Sequence, residues 1–185
     1  MKTFPKLFSS PLKAVAFSTV LLFFSFSCEE VNDLTKFDIE YEKTFTIPGT
    51  IGIDTPITIP TPDITTNSEE KFSGNDTKKE LVEEIIMKQL TLSIQSPSDG
   101  DFSFLERLTI YIDAEGMEQT KIATRESIPD DVGSTLEMET PSVDLKEYIF
   151  KDSFKLKTTV TTDETIMEDH EIKADMVFTV DAELL

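Results

Sequence analysis

From Leu34 onward, apolar and polar residues alternate with a period of two. Phe37, Ile39, Tyr41, Phe45 and Ile47 take odd positions, with Asp38, Glu40, Glu42, Thr44 and Thr46 between them. Successive strand side chains point to opposite faces, so this pattern predicts a strand with one face in a core and the other in water. Pro48, Pro56, Pro60 and Pro62 follow. Proline lacks a backbone donor, which makes this stretch an edge strand or an extended crossing, pinned by Ile51, Ile53, Ile57 and Ile59. Residues 67–78 are polar and read as a loop. Asp76 or Thr77 then caps a predicted short helix from Lys78 to Glu84.

Alternation resumes at Leu90, Leu92 and Ile94, and Ser96-Pro97-Ser98-Asp99-Gly100-Asp101 ends that strand in a turn. Phe102, Phe104 and Leu105 are expected to plug one end of the core. Leu108, Ile110, Ile112 and Ala114 share one strand face, with Tyr111 on the other. After Ala114-Glu115-Gly116 come a weaker strand over 121–124, a loop over 128–133, a short strand at Leu136 and Met138, and a helical turn or two over 143–150. Phe154, Leu156 and Val160 alternate with Lys155, Lys157 and Thr159. A polar link over 161–165 leads to the alternating run Ile172, Ala174, Met176, Phe178, Val180 and Ala182. Two such runs about a short link predict an antiparallel hairpin. Seven or eight strands with two short helical candidates predict an all-β fold, an antiparallel β-sandwich of immunoglobulin-like or related kind, over residues 35–185. No internal repeat is present, which excludes a solenoid or propeller.

The first 27 residues follow another pattern. Lys2, Lys6 and Lys13 precede an apolar run from Ala14 to Phe26, and the first acid is Glu29. As a helix this run would reach only about 20 Å, short of the roughly 30 Å hydrocarbon core of a bilayer. A basic start, a short apolar middle and small residues at its end describe a secretory signal peptide, removed on export. Its end, Ser25-Phe26-Ser27-Cys28, holds the only cysteine of the chain. It resembles a lipobox, in which the cysteine thiol is joined to diacylglycerol and the chain is cut just before it. The match departs from the common form at Ser25 and Phe26, where Leu and a small residue are usual. Residues 28–34 then form a lipidated tether, with Cys28 as attachment point. Glu29 and Glu30 resemble the acidic surface-export signal of lipoproteins of the Bacteroidota type; retention facing the periplasm is the alternative.

The full chain carries 17 basic and 36 acidic residues, a net charge of −19. Loss of the signal removes three lysines and leaves 14 against 36, or −22. Such a charge argues against a nucleic-acid partner, since phosphate binding relies on Lys and Arg displacing counterions. One cysteine excludes an internal disulfide framework and any multi-cysteine metal site.

Candidate chemistry is sparse. His170, in Glu168-Asp169-His170-Glu171, is the only imidazole and reads as a surface histidine whose acidic neighbours favour its charged form. A catalytic triad would need a serine and an oxyanion hole that the sequence does not identify. Paired carboxylates for glycoside hydrolysis must sit roughly 5–10 Å apart in a cleft; among 36 acids, some pair will meet that spacing without meaning. Calcium suits oxygen ligands, and Asp99-Gly100-Asp101, Asp130-Asp131, or Asp163, Glu164, Glu168 and Asp169 are candidate loops, each equally readable as solvated acid. Carbohydrate binding commonly uses exposed rings. With no Trp, and Tyr41 on an apolar strand side, Tyr111 is the one candidate platform. No catalytic, metal or cofactor-binding residues are assigned, and no cofactor is expected.

The segments Ser96-Pro97-Ser98, Phe102-Ser103-Phe104-Leu105, Ile110-Tyr111-Ile112, Val143 to Ile149 and Thr162-Asp163-Glu164 through Asp169-His170-Glu171-Ile172 resemble small uncharacterised β-sandwich lipoproteins of the Bacteroidota type. The resemblance implies lipid anchoring at the outer membrane and a β-rich domain, and implies no activity. Together these readings describe a lipid-anchored lipoprotein of the cell envelope, displayed at the surface. It would be a non-catalytic binding or structural accessory module, attached to the membrane by its lipid and open to an envelope protein partner. A carbohydrate- or Ca²⁺-binding module and a carboxylate-dependent hydrolase are the alternatives.

Overall fold

Alternation becomes two packed antiparallel sheets. The computed structural model describes residues 35–49, 51–183 and 185, and Thr35–Leu185 forms one compact unit. The strands are β1 (Lys36–Ile47), β2 (Ile57–Pro60), β3 (Ile64–Thr65), β4 (Val82–Ser96), β5 (Leu105–Asp113), β6 (Thr120–Arg125), β7 (Thr135–Glu137), β8 (Ser153–Thr162) and β9 (His170–Ala182). Two short helices, α1 (Ser68–Ser73) and α2 (Lys146–Ile149), cover the ends. One sheet has the order β1-β9-β4-β7; the other runs β2-β8-β5-β6, with β3 also paired to β8. The all-β sandwich is therefore as expected, with nine strands among the described residues, two of them only two or three residues long.

The inner faces follow the period-two pattern. Ile39, Tyr41, Phe45 and Ile47 of β1 are buried against even-numbered residues of β9, among them Ile172, Ala174, Met176, Phe178 and Val180. Leu108, Ile110 and Ile112 of β5 and Phe154, Leu156 and Val160 of β8 supply the facing layer. Phe102, Phe104 and Leu105 close one end of the core as expected. Phe72 of α1 closes the opposite end, edge-on to Phe37 at 6.5 Å and to Phe150 at 6.0 Å. The segment after β7 stitches the two sheets along one side. Leu136 pairs with Leu92 of β4, and Glu139 exchanges two 2.9 Å backbone hydrogen bonds with Thr124 of β6.

Four expectations are corrected. The predicted helix from Lys78 to Glu84 is a single 3-10 turn at Lys79–Leu81, after which β4 begins. Bulges between Val82 and Glu84 and between Met87 and Gln89 each insert a residue. The inward positions thus become 82, 85, 87, 90 and 92, a spacing that imitates a helix because a bulge breaks strand parity. Second, the expected loop over 67–78 contains α1, whose formation is driven by burial of Phe72.

Third, the two C-terminal runs are not a hairpin. β8 lies in one sheet between β2 and β5, and β9 in the other between β1 and β4. Their apolar faces meet across the core, and the residues from Asp163 to Asp169 carry the chain from sheet to sheet, a separation of about 10 Å. A hairpin and such an arch present the same alternation, and the longer link decides between them. Fourth, His170 is not a surface residue: it is 7% exposed and points into the core at the start of β9.

Candidate functional site

Cys28, Glu29 and Glu30 lie outside the described residues; the described domain begins seven residues beyond the cysteine, at Thr35. Among the described residues, no helix is long and apolar enough to cross a membrane.

Two acids of the candidate loops serve as turn ties. Asp169 accepts the Gly49 backbone N–H at 2.9 Å, and Asp101 accepts that of Ser103 at 3.0 Å. Hydrogen bonds from Ser103 hold the Asp101 carboxyl below its ordinary pKa, with a smaller electrostatic pull from His170. No group of three or more His, Cys, Asp or Glu side chains gathers for a metal ion among the described residues. The His170 ring packs on Phe104, centroids 4.5 Å apart, with Nδ1 3.2 Å from the Glu168 carbonyl oxygen. Its place is that of a polar-tipped core ring at the mouth of the sandwich.

Besides open charged depressions at Asp63, Asp113 and Lys155 and at Glu115, Lys151 and Asp152, two others lie beside α1 and β1. One, about 470 Å³, lies between α1 and the start of β8 and includes Asn67, Glu69, Lys79 and Asp152; the Lys79 ammonium is committed to the Phe150 carbonyl at 2.7 Å. The other, about 550 Å³, lies on the outer side of β1 and β9 beside Glu40, Glu42, Lys173 and Asp175. There Lys173 pairs with Asp175 at 2.9 Å, which raises the lysine pKa.

The outer face of the β2-β8-β5-β6 sheet is arranged differently. Tyr111 on β5 stands directly between Lys121 of β6 and Lys157 of β8, opposite each in register. In the adjacent row, four threonines cross all four strands: Thr58 pairs with Thr159, Thr159 with Thr109, and Thr109 with Thr124. Their hydroxyls approach in two pairs, Thr58 with Thr159 at 3.3 Å and Thr109 with Thr124 at 3.2 Å. Residues directly opposite on one face are side-chain neighbours, so these rows are continuous.

Arg107 and Lys155 extend the positive charge along the same outward positions of β5 and β8. Asp113, 2.9 Å from Lys157, is the acid of that outward set on β5. The outer face of the other sheet presents Asp38, Glu40, Glu42, Glu171, Asp175 and Asp181. Carboxylates also meet the remaining cations of β5 and β8, Asp63 at 3.6 Å from Lys155 and Glu106 at 3.3 Å from Arg107, so this face mixes both signs of charge while the other is mainly acidic.

Tyr111, the ring singled out from sequence, is half-buried within this face. Its lysine neighbours were not evident beforehand, because Lys157 lies 46 positions away and only strand register brings it alongside. The usable signal was the outward series Lys155, Lys157, Thr159 on β8.

No protein-family model matches the chain, and no curated protein matches it. Similar solved structures include a chain of Desmodium yellow mottle tymovirus, 11% identical over 100% of this chain and 92% of that one, with a TM-score of 0.25. A chain of turnip yellow mosaic virus is 9% identical, covering 80% of this chain and 96% of that one, with a TM-score of 0.27. At such scores the likeness carries no argument about what this chain does.

Proposed function

We propose that this protein is a lipid-anchored lipoprotein of the cell envelope whose β-sandwich acts as a non-catalytic binding module. The observation that carries the anchoring is the position of Cys28. The only cysteine ends a basic-then-apolar leader and precedes the compact domain by seven residues. A diacylglyceryl thioether on Cys28, joined by an acyl chain on the new amino terminus, would combine several buried chains. One fatty chain binds a bilayer only reversibly, at about 0.8 kcal/mol per buried methylene, whereas two or more hold stably. Glu29 and Glu30 favour display on the outer surface.

The binding part of the reading is supported by the face around Tyr111, where a ring, ammonium groups and hydroxyls stand on one rigid sheet. That arrangement favours the carbohydrate-binding form of the module over a calcium-binding one. Incorporation of labelled fatty acid tests the anchor: the wild-type chain should be labelled and Cys28→Ala should not. Undiminished labelling of Cys28→Ala would sink the assignment. Protease accessibility of the domain on intact cells tests its display.

A further inference from the structure

We propose that one end of the sandwich docks a basic, amphipathic segment of another protein, with Met167 and Ile53 as its apolar contacts. That end is formed by the links from β1 to β2, β4 to β5, β6 to β7 and β8 to β9. The inference goes beyond the reading of the domain as a binding module and uses none of the residues around Tyr111. Strand register brings the four links together. Ile47 pairs with His170, Ser96 with Glu171 and Leu105 with Thr162, and the Gly133 carbonyl accepts the Phe102 N–H at 3.2 Å. Thr35, where the described domain begins, lies at the other end beside Ala182.

Two of the three large apolar side chains left exposed among the described residues project from this end, Met167 at 84% and Ile53 at 48%. Single exposed apolar residues are ordinary, but these two stand on adjoining segments. Asp169 accepts the Gly49 N–H at 2.9 Å, and the Thr162 carbonyl accepts that of Asp54 at 2.9 Å. The link from β1 to β2 is thus pinned to the arch from β8 to β9 at two points. Ile51 and Ile166 turn inward there, which leaves Ile53 and Met167 outside. Methionine is unbranched and polarizable and adapts to varied partner surfaces.

Charge decides what kind of partner covers them. Residues 48–56, 97–104, 126–134 and 163–169 hold one, two, three and four acids in turn, and no lysine or arginine. All of these acids are exposed, and every ion pair among the described residues lies elsewhere. The cations of the adjoining strand ends, Arg107 and Arg125, are met by Glu106 and Glu139, and the imidazole of His170 is buried. The opposite end instead mixes its acids with Lys71, Lys78, Lys79, Lys146 and Lys151. An excess of like charge with no internal partner attracts a polycation, over a range of roughly 8 Å at physiological ionic strength.

A metal ion fits this distribution poorly. Among the described residues no three His, Cys, Asp or Glu side chains gather at one point, so a small ion finds no cage. An extended chain can meet the carboxylates one after another. Nucleic acid and anionic lipid carry the sign of charge that this end repels. Basic residues spaced between apolar ones satisfy both parts of the surface at once.

Binding of a short labelled peptide of repeating Lys-Ser-Leu to the full chain in non-ionic detergent tests this, with empty micelles as blank. Peptides of repeating Lys-Ser-Ser and Glu-Ser-Leu are the comparators. The wild type should bind Lys-Ser-Leu, lose it as salt rises, bind Lys-Ser-Ser severalfold more weakly, and ignore Glu-Ser-Leu. Ile53→Ser with Met167→Ser should remove the advantage of Lys-Ser-Leu over Lys-Ser-Ser. Asp163→Asn with Glu164→Gln should weaken both basic peptides severalfold. Glu80→Gln with Glu147→Gln makes the same change in net charge at exposed positions of the opposite end, and should leave binding unchanged. Circular dichroism and urea unfolding check that each variant keeps the sandwich.

Absence of Lys-Ser-Leu binding would overturn the inference. So would equal affinities for the two basic peptides, equal losses in the two acid pairs, or an undiminished advantage of Lys-Ser-Leu in Ile53→Ser with Met167→Ser. Any of these results leaves the glycan reading of the Tyr111 face and the lipid at Cys28 standing, since these peptides probe neither.

Discussion

Tyr41 donates its hydroxyl to the backbone carbonyl of Thr66 at 2.8 Å, tying β1 to the strap that carries α1. Thr66 in turn donates its hydroxyl to the Lys151 carbonyl at 2.6 Å, so two surface crossings are locked to the sheet through one phenol. The Tyr41 ring lies edge-on to Phe154 at 5.5 Å and to Phe178 at 5.7 Å. Tyr41→Phe keeps those ring contacts and leaves a buried carbonyl unpaired. It should cost about 1–3 kcal/mol in urea unfolding with an unchanged slope; no loss would show the bond to be idle.

Burial also pushes the Tyr41 pKa well above its ordinary value near 10. The folded state therefore keeps a proton that the unfolded chain releases. The associated stability is complete below pH 10 and drains away as pH rises beyond it. The alkaline fall in stability should be shallower in Tyr41→Phe than in wild type. Identical alkaline profiles would remove Tyr41 as its source.

Gly49 sits against the arch that joins β8 to β9. A Cβ there would lie 2.9 Å from the Glu168 nitrogen and 3.0 Å from its Cα, both backbone atoms. Gly49→Ala must shift one of the two segments and should destabilise by about 1–3 kcal/mol. At Gly133 an added Cβ meets nothing within 4 Å. Gly133→Ala should be nearly neutral, and equal effects at the two sites would refute the close approach.

Thr158 of β8 is fully buried on the core face, and its hydroxyl finds no hydrogen-bond partner among the described residues. Thr158→Val preserves the branched shape and removes a desolvated polar atom. An increase in stability of about 1 kcal/mol is expected from thermal or urea unfolding. A loss would mean that the hydroxyl is satisfied after all.

Asp38 is held below its ordinary pKa, chiefly by the Lys88 ammonium 2.6 Å away and further by the Thr179 hydroxyl. The folded pKa is the depressed one, so the contribution is present above pH 4 and is lost as pH falls through the folded value. Both side chains are partly open to water, which limits the pair to about 0.2–1 kcal/mol. Lys88→Met should remove part of the acid sensitivity of unfolding at low salt and little at high salt. An unchanged acid profile would exclude the pair.

Much of the sandwich was legible because half-buried strands advertise themselves by parity. β1, β5 and the inner residues of β9 could be read almost residue by residue. The first half of β4 imitates a helix in sequence because its bulges reset that parity at positions only pairing with β9 reveals. The six residues of α1 carry too weak a periodic signal to stand out in sequence, and its formation depends on Phe72 finding Phe37 and Phe150. His170 looked solvated beside its acidic neighbours, yet its place in the alternation of β9 puts it inside.

By itself the sequence determined which residues face inward on most strands, the acidic balance of the chain, and the single cysteine at the end of its apolar leader. These follow from local chemistry and from a period that any strand must obey. Tertiary structure alone decided that β8 and β9 oppose each other across the core rather than pair within one sheet. It also set Lys121, Tyr111 and Lys157 in one row with four threonines beside them. Alternation states which way a side chain points and is silent about which strand lies next to it. Neighbours are chosen by register and by the length of the links, and a surface assembled from three separate strands exists only once those choices are made.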